Sequence, residues 1–266
     1  MWTAVALTTV MTLAPAQGLE LKNVRTTYGI LGETRKDDKI LPGDVIILAF
    51  DIEGLKAQDT GKVEYSMGME FAKKDAKKPV FKRDPTELEA YNILGGSTLP
   101  AFATYSLAPD IAPGQYTLKV SVKDLAGKGE KVLEKTYTVL EPKFGFIRVR
   151  LTASNGEDPV PPIAVAGQRV LFFCSLANVK LGKDKKPHVS FEMVIQDADG
   201  KPTIAKRYKA DITTELKDSA GIMTFLPRQL DLNKPGKYKI VIKATDNISK
   251  ETTEQTLSLN VLGTAE

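Results

Sequence analysis

The strongest constraint on the fold is an internal repeat, since one set of sequence features occurs twice in the 266-residue chain. Residues 111–124 match residues 233–246 at an offset of 122, and the shared positions include a proline, a glycine, a tyrosine and a final aspartate. Residues 43–50 match residues 167–174 at an offset of 124, and shorter matches lie between them in the same order. Ordered matches of this kind predict two tandem copies of one structural unit.

Each copy has the composition and the patterning of β-structure. Runs rich in Val, Ile, Leu, Thr and Tyr alternate with Gly, Pro, Asn and Asp, which are typical of turns. Residues 116–123 place an apolar side chain at every second position, which is typical of a strand with one buried face. About seven such strands per copy favour a β-sandwich over a βαβ fold. We therefore predict an all-β chain of two tandem seven-stranded sandwich domains, residues 19–141 and residues 143–263.

Two local features qualify this prediction. Residues 140–144 join the copies, and so short a segment with a proline predicts a stiff hinge. A single helical turn is predicted after residue 84, because Asp84 is a suitable N-cap and Pro85 suits the first helical position.

The corner that precedes the sixth strand of each copy resembles a known family. The residues that carry the resemblance are Pro113, Gly114 and Tyr116 in the first copy and Pro235, Gly236 and Tyr238 in the second. They resemble the turn into strand F of immunoglobulin-like and fibronectin type III-like domains. The resemblance implies that the tyrosine hydroxyl bonds back across the corner. Leu118 and Ile240 stand where antibody-type domains carry a cysteine.

The two-copy pattern also resembles exported proteins of planctomycete-type bacteria, and this resemblance implies no activity. Residues 1–16 read as a signal peptide, since residues 2–13 carry no charge and Ala14-Pro15-Ala16 provides small residues for cleavage near Gln17. The usual basic residues ahead of the apolar stretch are missing. We expect an exported, periplasmic or extracellular protein, with no transmembrane segment in the mature chain.

The side chains that could carry chemistry are few. Cys174 lies in an apolar run at the position that Phe50 occupies in the first copy, and we interpret it as a core residue. His188 is the only histidine, and one histidine with one cysteine does not make a zinc site. Residues 197–200 resemble a calcium loop, but an Asp-Gly hairpin turn explains them better. We therefore expect no enzyme, no catalytic or metal site and no cofactor. A pair of carboxylates that meet in space remains an alternative.

Charge distinguishes the two copies. Residues 19–141 contain 18 Lys and Arg against 19 Asp and Glu, whereas residues 143–266 contain 19 against 14. A solvated loop is the simpler interpretation of the lysine cluster in the second copy. The alternative is a loop that binds an anionic partner, made of Lys180, Lys183, Lys185, Lys186 and His188.

The sequence thus favours a non-enzymatic structural or interaction protein of the cell envelope. Its partner would be another envelope protein or an acidic envelope polymer, and nucleic acid is not expected. One alternative is a carbohydrate-binding module that stacks sugars on Tyr28, Tyr65, Tyr91 and Tyr105. Another is a periplasmic chaperone-like protein that acts by β-strand addition.

Overall fold

The chain is all-β and forms four sheets in a computed structural model that describes residues 18–127, 129–214, 221–225 and 227–264. These ranges contain no helix, and therefore none long and apolar enough to cross a membrane. The signal peptide predicted over residues 1–16 lies outside the described residues.

The strands fall into two groups along the chain. In the N-terminal half they are Glu20–Thr26 (β1), Lys39–Ile40 (β2), Val45–Glu53 (β3), Lys62–Lys73 (β4), Phe81–Tyr91 (β5), Thr98–Ser106 (β6), Gly114–Asp124 (β7) and Glu130–Val139 (β8). In the C-terminal half they are Gly145–Ala153 (β9), Ile163–Val165 (β10), Arg169–Ala177 (β11), Val189–Gln196 (β12), Tyr208–Ile212 (β13), Met223–Thr224 (β14), Arg228–Asp231 (β15), Gly236–Asp246 (β16) and Thr252–Leu262 (β17).

The expected seven strands per copy are eight and nine in the described ranges. The extra strands are β2 and β10, each of two or three residues, which pair in parallel with the last strand of their half. Segments this short show no readable alternation. In the C-terminal half, the single strand predicted over 221–230 is two strands, β14 and β15.

Both halves have the same strand order. One sheet of the N-terminal half runs β1-β3-β6 and the other runs β2-β8-β7-β4-β5. In the C-terminal half, β11 pairs with β9, β14 and β15, and the second sheet runs β10-β17-β16-β12-β13. The sequence repeat therefore corresponds to one topology built twice.

Alternating burial fixes the register of the central strands. In β7, Tyr116, Leu118, Val120 and Val122 are buried, as their spacing predicts. A shift of one residue would turn these side chains to water and bring polar ones inside. Each half has its own apolar cluster, formed by residues between 19 and 139 in one and between 144 and 261 in the other.

The helical turn predicted at Asp84 and Pro85 is wrong, because both residues lie within strand β5. This strand pairs with β4 on one side only, and a proline is tolerated at such an edge because its missing N–H is not needed there. Pro85 packs over Gly68, where the register between β4 and β5 shifts. The long pairing with β4 overrides the local helix-start pattern.

A buried ion pair of the N-terminal half lies at the junction between the two halves. Asp44, in the turn before β3, accepts a hydrogen bond from Arg35 Nη2 at 2.6 Å, and the two side chains are 4% and 8% exposed. The second carboxylate oxygen of Asp44 accepts the backbone N–H of Arg148 in β9, at 2.7 Å. Arg148 Nε in turn donates to the carbonyl of Gly43, at 2.9 Å. The backbone of the C-terminal half is thereby bonded directly to the N-terminal half.

The loop between β1 and β2 makes a second contact across the junction. Glu33 accepts hydrogen bonds from the backbone N–H and the hydroxyl of Ser258 in β17, at 2.7 and 3.0 Å. Tyr28 packs against the apolar core of the C-terminal half, although it belongs to the other half in sequence. Gly29 adopts φ of 82°, and a Cβ there would lie 3.1 Å from the Cβ of Arg150. Residues far from the short hinge predicted at 140–144 therefore also connect the two halves.

We predict that Asp44→Ala lowers the free energy of unfolding by about 3–5 kcal/mol, because it leaves the Arg35 guanidinium buried without its partner. Urea denaturation measures this loss. Asp84→Ala is the matched control, since Asp84 pairs with Lys82 on an exposed strand and its removal should leave the midpoint unchanged. Equal effects of the two substitutions would contradict the prediction.

Candidate functional site

The lysine cluster that the sequence identifies lies in the loop between β11 and β12. Lys180, Lys183, Lys185, Lys186 and His188 are all exposed. The loop has a defined shape, since Gly182 donates its N–H to the Lys186 carbonyl and Lys185 donates its N–H to the Gly182 carbonyl.

A buried aspartate holds this loop in place. Asp246, at the end of β16, accepts the backbone N–H of Lys180 at 2.9 Å and two further N–H groups of its own turn. Asp124 plays the same part in the N-terminal half, where it accepts the N–H of Lys56 from the corresponding loop. None of the loop lysines pairs with a carboxylate in the part of the chain that the structure describes. The loop thus presents four lysines against one carboxylate, Asp184, on an anchored backbone, and this excess of positive charge suits attraction of an anion.

The structure places Cys174 in the apolar core. Its side chain is 4% exposed, within the apolar cluster of the C-terminal half. Burial raises the pKa of the Cys174 thiol to about 12, because the thiolate would lose its hydration. The thiolate is the nucleophilic form, so this environment makes the cysteine inert.

We predict that Cys174 does not react with a chromogenic disulfide reagent in the folded protein at pH 8, and that one thiol per chain reacts after denaturation. The reason is that the buried thiol is both inaccessible and protonated. Rapid stoichiometric labelling without denaturant would contradict it.

The tyrosines of the repeated corner bond back to the chain four residues upstream. Tyr116 donates its hydroxyl to the carbonyl of Ala112 at 2.7 Å, and Tyr238 donates to that of Lys234 at 3.0 Å. Gly114 and Gly236 precede them with φ of 137° and 153°, values that side chains disfavour. Pro113 and Pro235 stand before these glycines and set the turn. The tyrosine is fully buried in the N-terminal half and only half-buried in the C-terminal half.

This difference arises from the rings around the first tyrosine. Phe71 stacks on Tyr116 with ring centroids 5.0 Å apart and an angle of 7° between the planes. Tyr105 contacts Phe71 at 4.6 Å and Phe81 at 5.1 Å. These four rings, which we call the aromatic plug, lie together at one end of the two sheets of the N-terminal half.

The equivalent positions in the C-terminal half follow from the strand registers. Phe71 pairs with Leu118 on the neighbouring strand. Ile195 pairs with Ile240, which matches Leu118 in the sequence repeat, so Ile195 is the counterpart of Phe71. Val80 donates its N–H to the Phe71 carbonyl, and Phe81 is the next residue along the chain. The equivalent bond runs from Thr203 to the Ile195 carbonyl, so Ile204 is the counterpart of Phe81. Tyr105 pairs with Ile46, and Leu230 pairs with Val170. Val170 matches Ile46 in the sequence repeat, so Leu230 is the counterpart of Tyr105. Three rings of the plug are therefore replaced by Ile195, Ile204 and Leu230.

The C-terminal half is open where the plug would stand. A groove of about 570 Å³ lies between the ends of β12, β15, β16 and β17, and we call it the end groove. Leu232, Leu259 and Val261 are buried residues of its wall. Ile204 stands at its edge and is 65% exposed. The space has the size that is usual for a ligand site, and polar side chains such as Asp197, Gln229 and Asp231 line it beside the apolar ones.

Basic residues continue directly from Ile204 along the chain. Lys206, Arg207 and Lys209 surround an adjoining depression. Glu192 is shared by Lys209 at 2.6 Å and Arg207 at 3.7 Å. Glu192 and Lys209 are direct cross-strand partners, so they lie on the sheet face opposite the buried Phe191 and Met193 and do not face the groove.

The end groove is not evident from local sequence patterns, although the repeat contains its signal. Sites that are aromatic in the first copy, at 71, 81 and 105, are aliphatic in the second, at 195, 204 and 230. The offset drifts between 123 and 125 over these positions, so strand pairing is needed to match them.

Other candidates from the sequence are not brought together. Asp197 accepts the N–H groups of Asp199 and Lys201, as expected for a hairpin turn. Within the described ranges, no group of three or more His, Cys, Asp or Glu side chains could hold a metal ion. Of the four tyrosines considered for sugar stacking, Tyr28 lies at the junction, Tyr105 in the plug and Tyr65 in the core, whereas Tyr91 is exposed.

Comparison with known proteins adds little to this geometry. No protein-family model matches the sequence, and no curated protein is significantly similar to it. The chain is similar to red sea bream transglutaminase over 93% of its length and 31% of that chain, at 6% identity and a TM-score of 0.28. It is similar to dimeric latent PorU from Porphyromonas gingivalis over 98% of its length and 22% of that chain, at 9% identity and a TM-score of 0.41. The chain spans less than a third of either structure.

We predict that Phe71→Ala costs about 3–5 kcal/mol of unfolding free energy, because it removes a fully buried ring from the plug. The equivalent substitution Ile195→Ala should cost less than about 2 kcal/mol, because Ile195 already faces the open groove. Urea denaturation of the two variants makes the comparison. Losses of the same size would show that the two ends are equally packed.

Proposed function

We propose that the chain is an exported, non-enzymatic structural and interaction protein of the cell envelope, built from two immunoglobulin-like β-sandwich domains over residues 19–141 and 143–263. The shared strand order, the repeated tyrosine corner and the apolar leader support this proposal. The resemblance to exported proteins of planctomycete-type bacteria agrees with it.

The observation that carries the binding function is the end groove in the C-terminal half. Recesses of this size that combine apolar walls with a few polar groups commonly mark interaction sites. The inert environment of Cys174 supports a binding role rather than nucleophilic catalysis.

A second candidate function is binding of an acidic envelope polymer by the lysine loop. Four exposed lysines on a backbone anchored by Asp246 favour it. Such a contact depends on charge and weakens as salt screens it.

We predict that the native protein lacks its first residues, with a mature N-terminus near Gln17, and that chemical crosslinking in intact cells repeatedly links it to the same envelope component. Mass spectrometry of the purified protein and of the crosslinked product measures both. An intact Met1 together with no reproducible partner would contradict the proposal.

Paired variants separate the two binding candidates. Lys183→Ser with Lys186→Ser should abolish crosslinking if the lysine loop binds the partner. Lys77→Ser with Lys78→Ser removes the same charge from an exposed turn of the N-terminal half and is the control. Crosslinking that survives the first pair points to the end groove.

A further inference from the structure

We propose that the connection between β5 and β6, residues 92–97, inserts into the surface of a lipid bilayer. We call this connection the apolar tip, and it is a contact separate from the end groove and the lysine loop. The choice of a bilayer rests on the proposed export, which places the start of the chain at a membrane. Three observations carry the inference: two exposed aliphatic side chains, the turn that holds them and the point where the chain enters the fold.

The apolar tip exposes two aliphatic side chains that nothing in the described residues covers. Ile93 and Leu94 are the most exposed of the large apolar side chains there, at 82% and 98%. A Cβ added at Gly95 or Gly96 would have open space around it. Adjacent aliphatic side chains left in water in this way commonly mark a contact with a protein or a membrane.

The backbone of the apolar tip has a defined shape. Gly95 donates its N–H to the Asn92 carbonyl at 2.9 Å, which closes a four-residue turn around Ile93 and Leu94. Asn92 donates its own N–H to the Gly61 carbonyl at 2.9 Å, and this bond ties the turn to the loop before β4. The central positions of such turns favour Gly, Pro, Asn, Asp and Ser. Two aliphatic residues there, with no packing inside the molecule to explain them, indicate a function outside it.

The fold itself does not require this aliphatic pair. The connection at the equivalent place in the C-terminal half spans residues 213–222, and its sequence includes the charged residues Glu215, Lys217 and Asp218. The pair is therefore a property of the N-terminal half alone.

The chain enters the fold at the same end as the apolar tip. Glu20 pairs with Glu53, and Glu53 pairs with Thr98, the residue that follows the tip. Neighbouring strands lie about 4.8 Å apart, so the two points are about 10 Å from each other. Residues 2–13 are uncharged, and residues 14–19 between them and Glu20 span at most about 25 Å. While the leader lies in the membrane during export, the apolar tip is therefore close to the bilayer.

The residues behind the apolar tip indicate the kind of contact. Tyr91 is 54% exposed, and a ring with a hydroxyl suits the boundary between acyl chains and headgroups. Lys62, opposite Tyr91 on β4, is shared by Glu64 at 2.9 Å and Glu89 at 2.8 Å. These charges do not favour an anionic surface. Burial of the aliphatic pair therefore drives the contact, and added salt should not weaken it.

The test uses the chain from Gln17, which keeps every residue of both apolar clusters and contains no tryptophan. Leu94→Trp then provides a single fluorescent reporter in the apolar tip. On addition of phosphatidylcholine vesicles its emission should shift to the blue and be quenched by brominated acyl chains, because the ring leaves water. Ile204→Trp, at an exposed isoleucine of the C-terminal half, is the matched control and should show neither change.

Removal of the aliphatic pair is the second variant. Ile93→Ser with Leu94→Ser should weaken cosedimentation with the vesicles at least about tenfold, because two aliphatic side chains no longer leave water on binding. Ile204→Ser with Leu262→Ser makes the same change at two exposed sites of the C-terminal half and should bind as the parent does. The urea midpoints of both variants confirm that they fold.

Three results would overturn the proposal: a Leu94→Trp emission that vesicles leave unchanged, equal vesicle binding by the two serine variants, or binding that falls as salt is raised. Self-association that only the tip variant abolishes, without vesicle binding, would also overturn it and would show that the tip contacts a second molecule of this chain. The proposed function is tested separately, since a mature N-terminus near Gln17 and a reproducible envelope partner can both be found while vesicle binding fails.

Discussion

A buried carboxylate, Asp44, is bonded to both halves of the molecule. It pairs with the guanidinium of Arg35 in its own half and accepts the backbone N–H of Arg148 in the other. A buried ion pair adds little net stability over apolar packing, but removal of one partner leaves the other charge buried and unpaired. Arg148 adopts φ of 54°, which costs energy for a residue with a side chain, and its bonds to Asp44 and Gly43 offset that cost.

The two halves share one topology but differ in which end lies at the junction. In the N-terminal half, the end that holds the aromatic plug also holds the turn of Asp44, which bonds through its carbonyl to Leu107. In the C-terminal half, the linker enters beside Ala177, at the opposite end of β11 from Val170 and Leu230. The end groove therefore lies away from the linker. The plug closes the end that faces the junction, whereas the equivalent end of the second copy is open.

Much of the fold could be predicted from the sequence, because the repeat and the two-residue alternation report directly on burial. The central strands and the corner tyrosines correspond to features that recur at short, regular spacing, whereas the strand order comes from the structure alone. The turn at Asp84 was misread because its local pattern favours a helix start, and pairing with β4 outweighs that preference. The junction could not be predicted, since Glu33 and Ser258 are 225 residues apart and nothing local in sequence links them. The run of lysines marks the lysine loop in the sequence. The end groove, by contrast, arises because three aromatic residues of the first copy are aliphatic in the second.

The central claim is that buried contacts make the two copies one rigid body, which fixes where the open end points. Pulsed electron–electron spin resonance between labels at Lys123→Cys and Lys237→Cys, in a Cys174→Ala background, tests it most directly, because both lysines are exposed and lie in different halves. We expect one narrow distance distribution, which broadens when Asp44→Ala is added. A broad distribution in the parent protein, or one that Asp44→Ala leaves unchanged, would contradict it.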